Sequence, residues 1–136
     1  MRHCKETITV FNTQLDPVND YDVYNGTVIR GVSFFCEVAS NVDGSGLKAA
    51  DKYSIRIPTD ADFGDKSYVD PIAYQTSDPA HTFTLKNGDI IVKGEVTVKN
   101  PKPADLQAQY AEMVTILGVT DNRSAPHAPH WKVVGK

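Results

Sequence analysis

Hydrophobic and polar residues alternate over several short stretches of the chain, and each such stretch predicts a half-buried β-strand. The densest runs from Thr82 to Val98, TFTLKNGDIIVKGEVTV. Thr82-Phe83-Thr84-Leu85 alternates, Asn87-Gly88 tolerates positive φ, and Ile90-Ile91-Val92 is β-branched. This pattern predicts a hairpin at the centre of a small sheet, with Gly94 bending its second strand. Thr7 to Asn12 alternates as a first strand. Thr27 to Val38 predicts a long strand kinked at Gly31. Its apolar residues fall on both faces, so it is central or curls as a barrel strand does. Lys52 to Pro58 alternates and stops at a proline, which cannot continue a central ladder. Met113 to Thr120 and His130 to Val134 supply two more strands.

Between these runs the composition changes to turn formers. Leu15 to Asp20 reads as a turn, and Asn25-Gly26 as a second hairpin signal. Residues 40–51 are expected as a loop, with one helical turn from Leu47 to Asp51. Residues 59–80 form a second long loop, polar and rich in aspartate, with Pro71 and Pro79. Tyr68, Ile72 and Tyr74 within it predict that part of the segment is ordered and docks. Pro103 suits a first helical position, and Leu106, Tyr110 and Met113 share one helix face. One short helix is expected over about 103–113. The sum is a mainly β chain, a small antiparallel barrel or sandwich of about six or seven strands with long loops. Residues 1–136 fit a single domain.

Composition narrows the function classes. Aromatic residues make up 9% and charged residues 23%, which excludes a disordered chain. No apolar run approaches the roughly 20 residues of a membrane helix. No apolar segment follows the basic start at Met1-Arg2, so no signal peptide is expected. The net charge of −3 disfavours a tight grip on nucleic acid, which draws its affinity from a basic face. Of two cysteines, Cys36 lies in an apolar strand and is expected as a buried free thiol. A Cys4–Cys36 disulfide is disfavoured in a reducing compartment.

Candidate chemistry is sparse. His127 and His130, with His3 and Cys4, are the candidate metal ligands. Two histidines three apart in a proline-bearing loop are not held on one helix face, so His130 is expected to pack or hydrogen-bond beside Trp131, with His127 solvated. Asp60, Asp62 and Asp65 recur near a glycine, but no glutamate follows at calcium-loop spacing. They are expected as a solvated acidic turn. Asp121-Asn122-Arg123 is expected as a turn in which Asp121 accepts backbone bonds and Arg123 pairs locally. No nucleophile elbow, phosphate loop or dinucleotide fingerprint appears. No catalytic residue, metal or cofactor is assigned, and the chain reads as a non-enzyme.

Six stretches in this order carry a resemblance: ITVFN (Ile8–Asn12), TVIRGVSFFCEV (Thr27–Val38), GLKAADKYSIRIP (Gly46–Pro58), FTLKNGDIIVKGEV (Phe83–Val96), TILGVTDNR (Thr115–Arg123) and APHWKVVGK (Ala128–Lys136). Together they resemble a family of uncharacterised small proteins encoded in phages and prophages of Gram-positive hosts, between capsid and tail genes. The resemblance implies a virion structural protein similar to head-completion, or stopper, and head–tail connector subunits. It implies a ring-forming homo-oligomer, possible as a monomer in isolation, whose partners are portal or adaptor and tail proteins, with DNA passing through the ring. It places the protein in the host cytoplasm during assembly and then in the virion neck. Leu47, Lys48, Asp62, Phe63, Tyr68, Tyr74 and Arg123 are the candidate assembly residues. The alternatives are a minor capsid, tail-tube or tail-terminator subunit, or a small barrel that stacks nucleic-acid bases on Tyr53, Tyr68 and Tyr74.

Overall fold

A computed structural model describes residues 5–16, 21–43, 46–97, 101–110 and 112–136. In chain order its elements are β1 (Glu6–Asp16), β2 (Tyr21–Asp43), β3 (Gly46–Pro58), β4 (Ser67–Tyr68), α1 (Pro71–Tyr74), β5 (Thr82–Phe83), β6 (Ile90–Lys93), α2 (Pro103–Gln109), β7 (Met113–Asn122) and β8 (His130–Gly135). Six strands pair antiparallel in the order β1-β2-β3-β8-β7-β6, and β6 returns to β1, so the sheet closes on itself. The predicted mainly β, antiparallel architecture is what forms. The other two strands are a two-residue parallel pair, β4 with β5.

Two strands turn the corners of the barrel. β2 pairs with β1 through Val32 and with β3 from Ser33 onward. The change of partner falls at Gly31, whose φ of 88° only glycine adopts cheaply. The register against β1 shifts there, as a bulge does. The kink read from the sequence therefore lies where one layer hands the strand to the next. β7 does the same job between β6 and β8, with a register shift between Ile116 and Gly118.

The barrel interior is filled by β-branched side chains, among them Ile8, Val10, Ile29, Val32, Ile55, Ile57, Ile91 and Val114. A second cluster forms outside it. Phe11, Ile90, Val92, Val96 and Leu106 of α2 bury one another. β1 and β6 are thus buried on both faces, which is why Ile90-Ile91-Val92 is apolar without alternation.

Several local readings give way to long-range pairing. The Thr82–Val98 hairpin does not form, because β6 pairs with β1 and β7 and leaves β5 to β4. Asn87-Gly88 instead makes a four-residue turn, closed by the Asp89 amide donating to the Lys86 carbonyl at 3.1 Å. Gly88 takes φ 91° at its third position, as a type II turn needs. The Asn12 side chain replaces the missing ladder: its Nδ2 donates to the Thr84 carbonyl at 2.7 Å and its Oδ1 accepts from the Thr84 amide at 3.2 Å. Asn25-Gly26 is no turn either, but lies inside β2 opposite Asn12 and Phe11. A Cβ on Gly26 would sit 2.9 Å from the Phe11 ring, so this glycine makes room for an aromatic.

Residues 40–51 are not a loop with a helical turn. Ser40–Asp43 and Gly46–Asp51 continue the β2–β3 ladder, and only the Gly44-Ser45 tip lies outside the described residues, as do the 17–20 part of the first predicted turn and Cys4. The predicted 103–113 helix stops at Gln109. Tyr110 is extended at φ −122°, and Met113 is taken by β7, where it pairs with Val92. Pro103 opens the helix as expected. Residues 59–80 also hold a second, single-turn helix, α1, capped by Asp70, whose carboxylate accepts the Ile72 and Ala73 amides at 3.0 Å. Tyr74 docks there, but Ile72 does not: it is 86% exposed.

Candidate functional site

The 59–80 segment owes its course to aspartates that satisfy local amides and to aromatics that reach the barrel. Asp62 exchanges backbone hydrogen bonds with Arg30 at 2.9 and 3.0 Å, which pins the segment to the edge of β2. Its carboxylate accepts the Gly64 amide at 2.9 Å. Asp78 accepts the Ala80 amide and contacts His81 Nδ1 at 2.8 Å, and these bonds hold its pKa below the usual carboxylate range. The acidic residues therefore act as turn caps.

Held this way, Phe63 and Tyr68 close over Phe83 and Trp131 and build an aromatic cap on the barrel. Phe63 stacks on Phe83 with centroids 5.0 Å apart, and Tyr68 lies 4.8 Å from Trp131 and edge-on to Phe83 at 5.8 Å. The Arg123 guanidinium sits over this cap, 5.1 Å from the Tyr68 ring and 5.3 Å from Trp131. Asp121 sets its orientation through a fork, with Nε at 2.9 Å from both oxygens and Nη2 at 2.6 Å from Oδ2. Both members are about half exposed, so the fork gives direction more than stability. The Arg123 bonds draw the Asp121 carboxyl below its ordinary pKa, and the Asp121 bonds raise Arg123 in turn. Burial pushes the Tyr68 phenol up, with Arg123 opposing.

Of the candidate assembly residues, Phe63, Tyr68 and Arg123 meet in this cap, with Asp62 beside them. The Asp121–Arg123 unit is the local pair expected from the sequence, although the turn begins later because β7 runs to Asn122. Tyr74 lies elsewhere and is 1% exposed, so its ring is unavailable to a partner or to a nucleobase. Tyr53 tilts against Phe34 at 5.5 Å. Leu47 and Lys48 fall in the outer part of β3, opposite Val42 and Asn41. The sequence reading missed Phe83 and Trp131 as members of the cap. The inward phase of His130-Trp131-Lys132-Val133 was the available signal, since Trp131 and Val133 are both buried.

The remaining candidates separate. His130 contacts the Ala128 carbonyl through Nδ1 at 2.8 Å and Asn122 through Nε2 at 3.3 Å, while His127 is exposed. Among the described residues, no group of three or more His, Cys, Asp or Glu is placed to hold a metal ion. A polar cluster that the sequence did not announce lies inside the fold. Asp89, with no exposed surface, accepts from Asn12 Nδ2 at 2.8 Å and Thr13 Oγ1 at 3.3 Å, with Lys86 Nζ at 3.7 Å. Burial raises its pKa against these partners.

A family model described as "Family of unknown function (DUF6751)" matches residues 3–136. No curated protein and no solved structure matches the chain.

Proposed function

Because the chain belongs to this family of unknown function, we propose its role from its sequence resemblance and its architecture: a non-enzymatic structural subunit of a phage or prophage virion, of the head–tail connector (head-completion) type. It assembles in the host cytoplasm, closes a ring with copies of itself, and docks to portal-side and tail-side proteins in the virion neck.

The observation that carries this reading is a projecting ribbon. Six residue pairs, Val38 with Asp51 through Asp43 with Gly46, extend the β2–β3 hairpin past the barrel. β1 leaves β2 at Val32 and β8 leaves β3 at Tyr53, so among the described residues the ribbon is two strands alone. It reaches roughly 20 Å at the usual rise per residue. A lone two-stranded ribbon is marginal in water and carries open edges, so it gains by seating on a neighbour. Heterologous contacts between an arm on one copy and a body on the next generate a ring when the rotation closes. The half-buried Phe63 and Tyr68 with Arg123 offer a body surface suited to that contact.

The test is to mix the protein with the portal protein of its own phage or prophage and image the product by electron microscopy. A ring of added density on the lower portal face is the expected outcome. Normal infectious particles from a phage lacking the gene would sink the proposal. Labelling on the shell or tube instead of the neck would replace the connector role with the capsid or tail alternatives.

A further inference from the structure

The strand register places two cations side by side on the outward face of the β2–β3–β8 layer. Arg56 pairs with Lys132 on one side and with Ser33 on the other. One step along the same face, Ser54 pairs with Phe35 and with Val134. These positions alternate with Ile55, Ile57 and Val133, whose side chains fill the barrel. Ser33, Phe35, Ser54, Arg56 and Lys132 line one surface pocket of about 350 Å³.

Like charges directly opposite on neighbouring strands repel. Among the described residues neither Arg56 nor Lys132 has an ion-pair partner, whereas Arg30, Lys86, Lys93 and Arg123 each have a carboxylate within 4.0 Å. These two cations, unpaired among the described residues, share their pocket with two hydroxyls. The chain as a whole is acidic, so this is a local reversal of sign, and screening confines it to about 10 Å. Arg offers a planar fork and Lys a point charge, the two complementary ways of holding a tetrahedral oxyanion. Ser33 and Ser54 add hydroxyl donors to that set. Phe35 is 57% exposed at the same pocket, and a bare inorganic ion has no use for it. An organic group attached to the phosphate does, and a planar base stacks on such a ring.

We propose that the outward face of β2, β3 and β8 carries a phosphate-ester site, with Arg56 and Lys132 holding the phosphate, Ser33 and Ser54 completing its donors, and Phe35 receiving the attached base. The shared chemistry is a phosphate joined to a nucleoside, from a free nucleotide or from a nucleic-acid strand. The site stands on the barrel alone and does not depend on the connector role.

Calorimetric titration of the full chain with inorganic phosphate, thymidine monophosphate and a ten-nucleotide thymidine strand tests it. Thymidine monophosphate is expected to bind more tightly than inorganic phosphate. Arg56→Gln and Lys132→Gln should each weaken it by about tenfold, the loss of one charge-assisted contact. Phe35→Ala should weaken the nucleotide and leave inorganic phosphate unchanged. Thermal melts at the wild-type temperature would show that these outward substitutions spare the fold. Tighter binding of the strand than of the nucleotide identifies nucleic acid as the source, and the reverse identifies a free nucleotide. No saturable binding of any of the three probes, or affinities unchanged by both cation substitutions, would overturn the proposal. Binding of an acidic peptide in place of all three probes would overturn it as well.

Discussion

Asp89 has no exposed surface, and its carboxylate faces Asn12 and Thr13 of β1 and the Lys86 ammonium at 3.7 Å. The Tyr74 phenol of α1 is the other titratable group coupled to it. Burial raises its pKa above the ordinary 3.8. A folded-state pKa above the unfolded one means that the folded protein binds the proton more tightly. That contribution is fully present below pH 3.8 and is lost as pH rises through the folded value. Asp89→Asn removes it. The difference in melting temperature, wild type minus variant, should therefore fall as pH rises from about 3.8 through the raised folded value. A flat difference would place the ionised carboxylate at no cost in its cluster. Glycines give a second residue-level test. A Cβ on Gly135 would collide with Val114 Cγ1 and lie 2.7 Å from the Thr115 carbonyl oxygen. That strand is tied by Thr115 and Lys136 exchanging two bonds at 3.1 Å, so it cannot back away freely. Gly135→Ala should cost about 1–3 kcal/mol in chemical denaturation. Gly118, with nothing within 4 Å of its Cβ position, should tolerate alanine within about 0.5 kcal/mol.

At the scale of elements, what the sequence made legible was what local periodicity controls. The alternation of Thr7 to Asn12, the kink at Gly31 and the stop at Pro58 all appear where the pattern placed them. Pairing was not legible, because which strand meets which is decided by contacts far apart in sequence. Asn87-Gly88 and Asn25-Gly26 carry the same local signal, yet one is a type II turn and the other lies inside a ladder against the Phe11 ring. The ribbon was missed for a related reason. Asn41, Asp43 and Gly46 read as loop formers, and Ala49-Ala50 as helix formers, while the cross-strand register overrides both. In the candidate site, Arg123 and Asp121 were visible as neighbours, whereas the aromatic cap joins residues 63, 68, 83 and 131 that no window spans. The open edge of β2 is also covered by remote residues: the Arg30–Asp62 bridge, and Lys66, whose Nζ donates to the Gly26 carbonyl at 2.8 Å and Thr27 Oγ1 at 2.9 Å. Edge strands are commonly blunted by lysine in this manner. Replacing residues 40–49 by a two-residue Asn-Gly turn tests the separability of ribbon and barrel. The melting temperature should change little, since the ladders that close the barrel pair residues outside that stretch, while association with copies or portal should be lost. Intact association in the truncated protein would remove the ribbon from the assembly surface.

For the molecule as a whole, stability is distributed unevenly. Each barrel strand has ladders to two neighbours, although β2 pairs with one of them at a time, and β1 and β6 are covered on both faces, by the interior and by the α2 cluster. The 59–80 segment is tied to this body through the Arg30–Asp62 bridge, Lys66 and the aromatic cap. Among the described residues, the ribbon beyond Val38 has one ladder and no third strand. Opening free energies follow this order, because a ladder amide exchanges only when its own unit opens. Hydrogen exchange on the free protein should therefore show the slowest amides in β1, β6 and the paired half of β7. Intermediate rates are expected at Ser67 to Val69, and near-unprotected rates at 38–51. An assembly arm has a further signature. When the protein is bound to its own copies or to the portal, protection should rise in 38–51 and at Phe63 to Tyr68, and stay constant in the barrel. A gain confined to the outward face of β3 and β8 would instead assign the contact to the cationic pocket, and a ribbon that is already protected in the free monomer would deny it the role of an unseated arm.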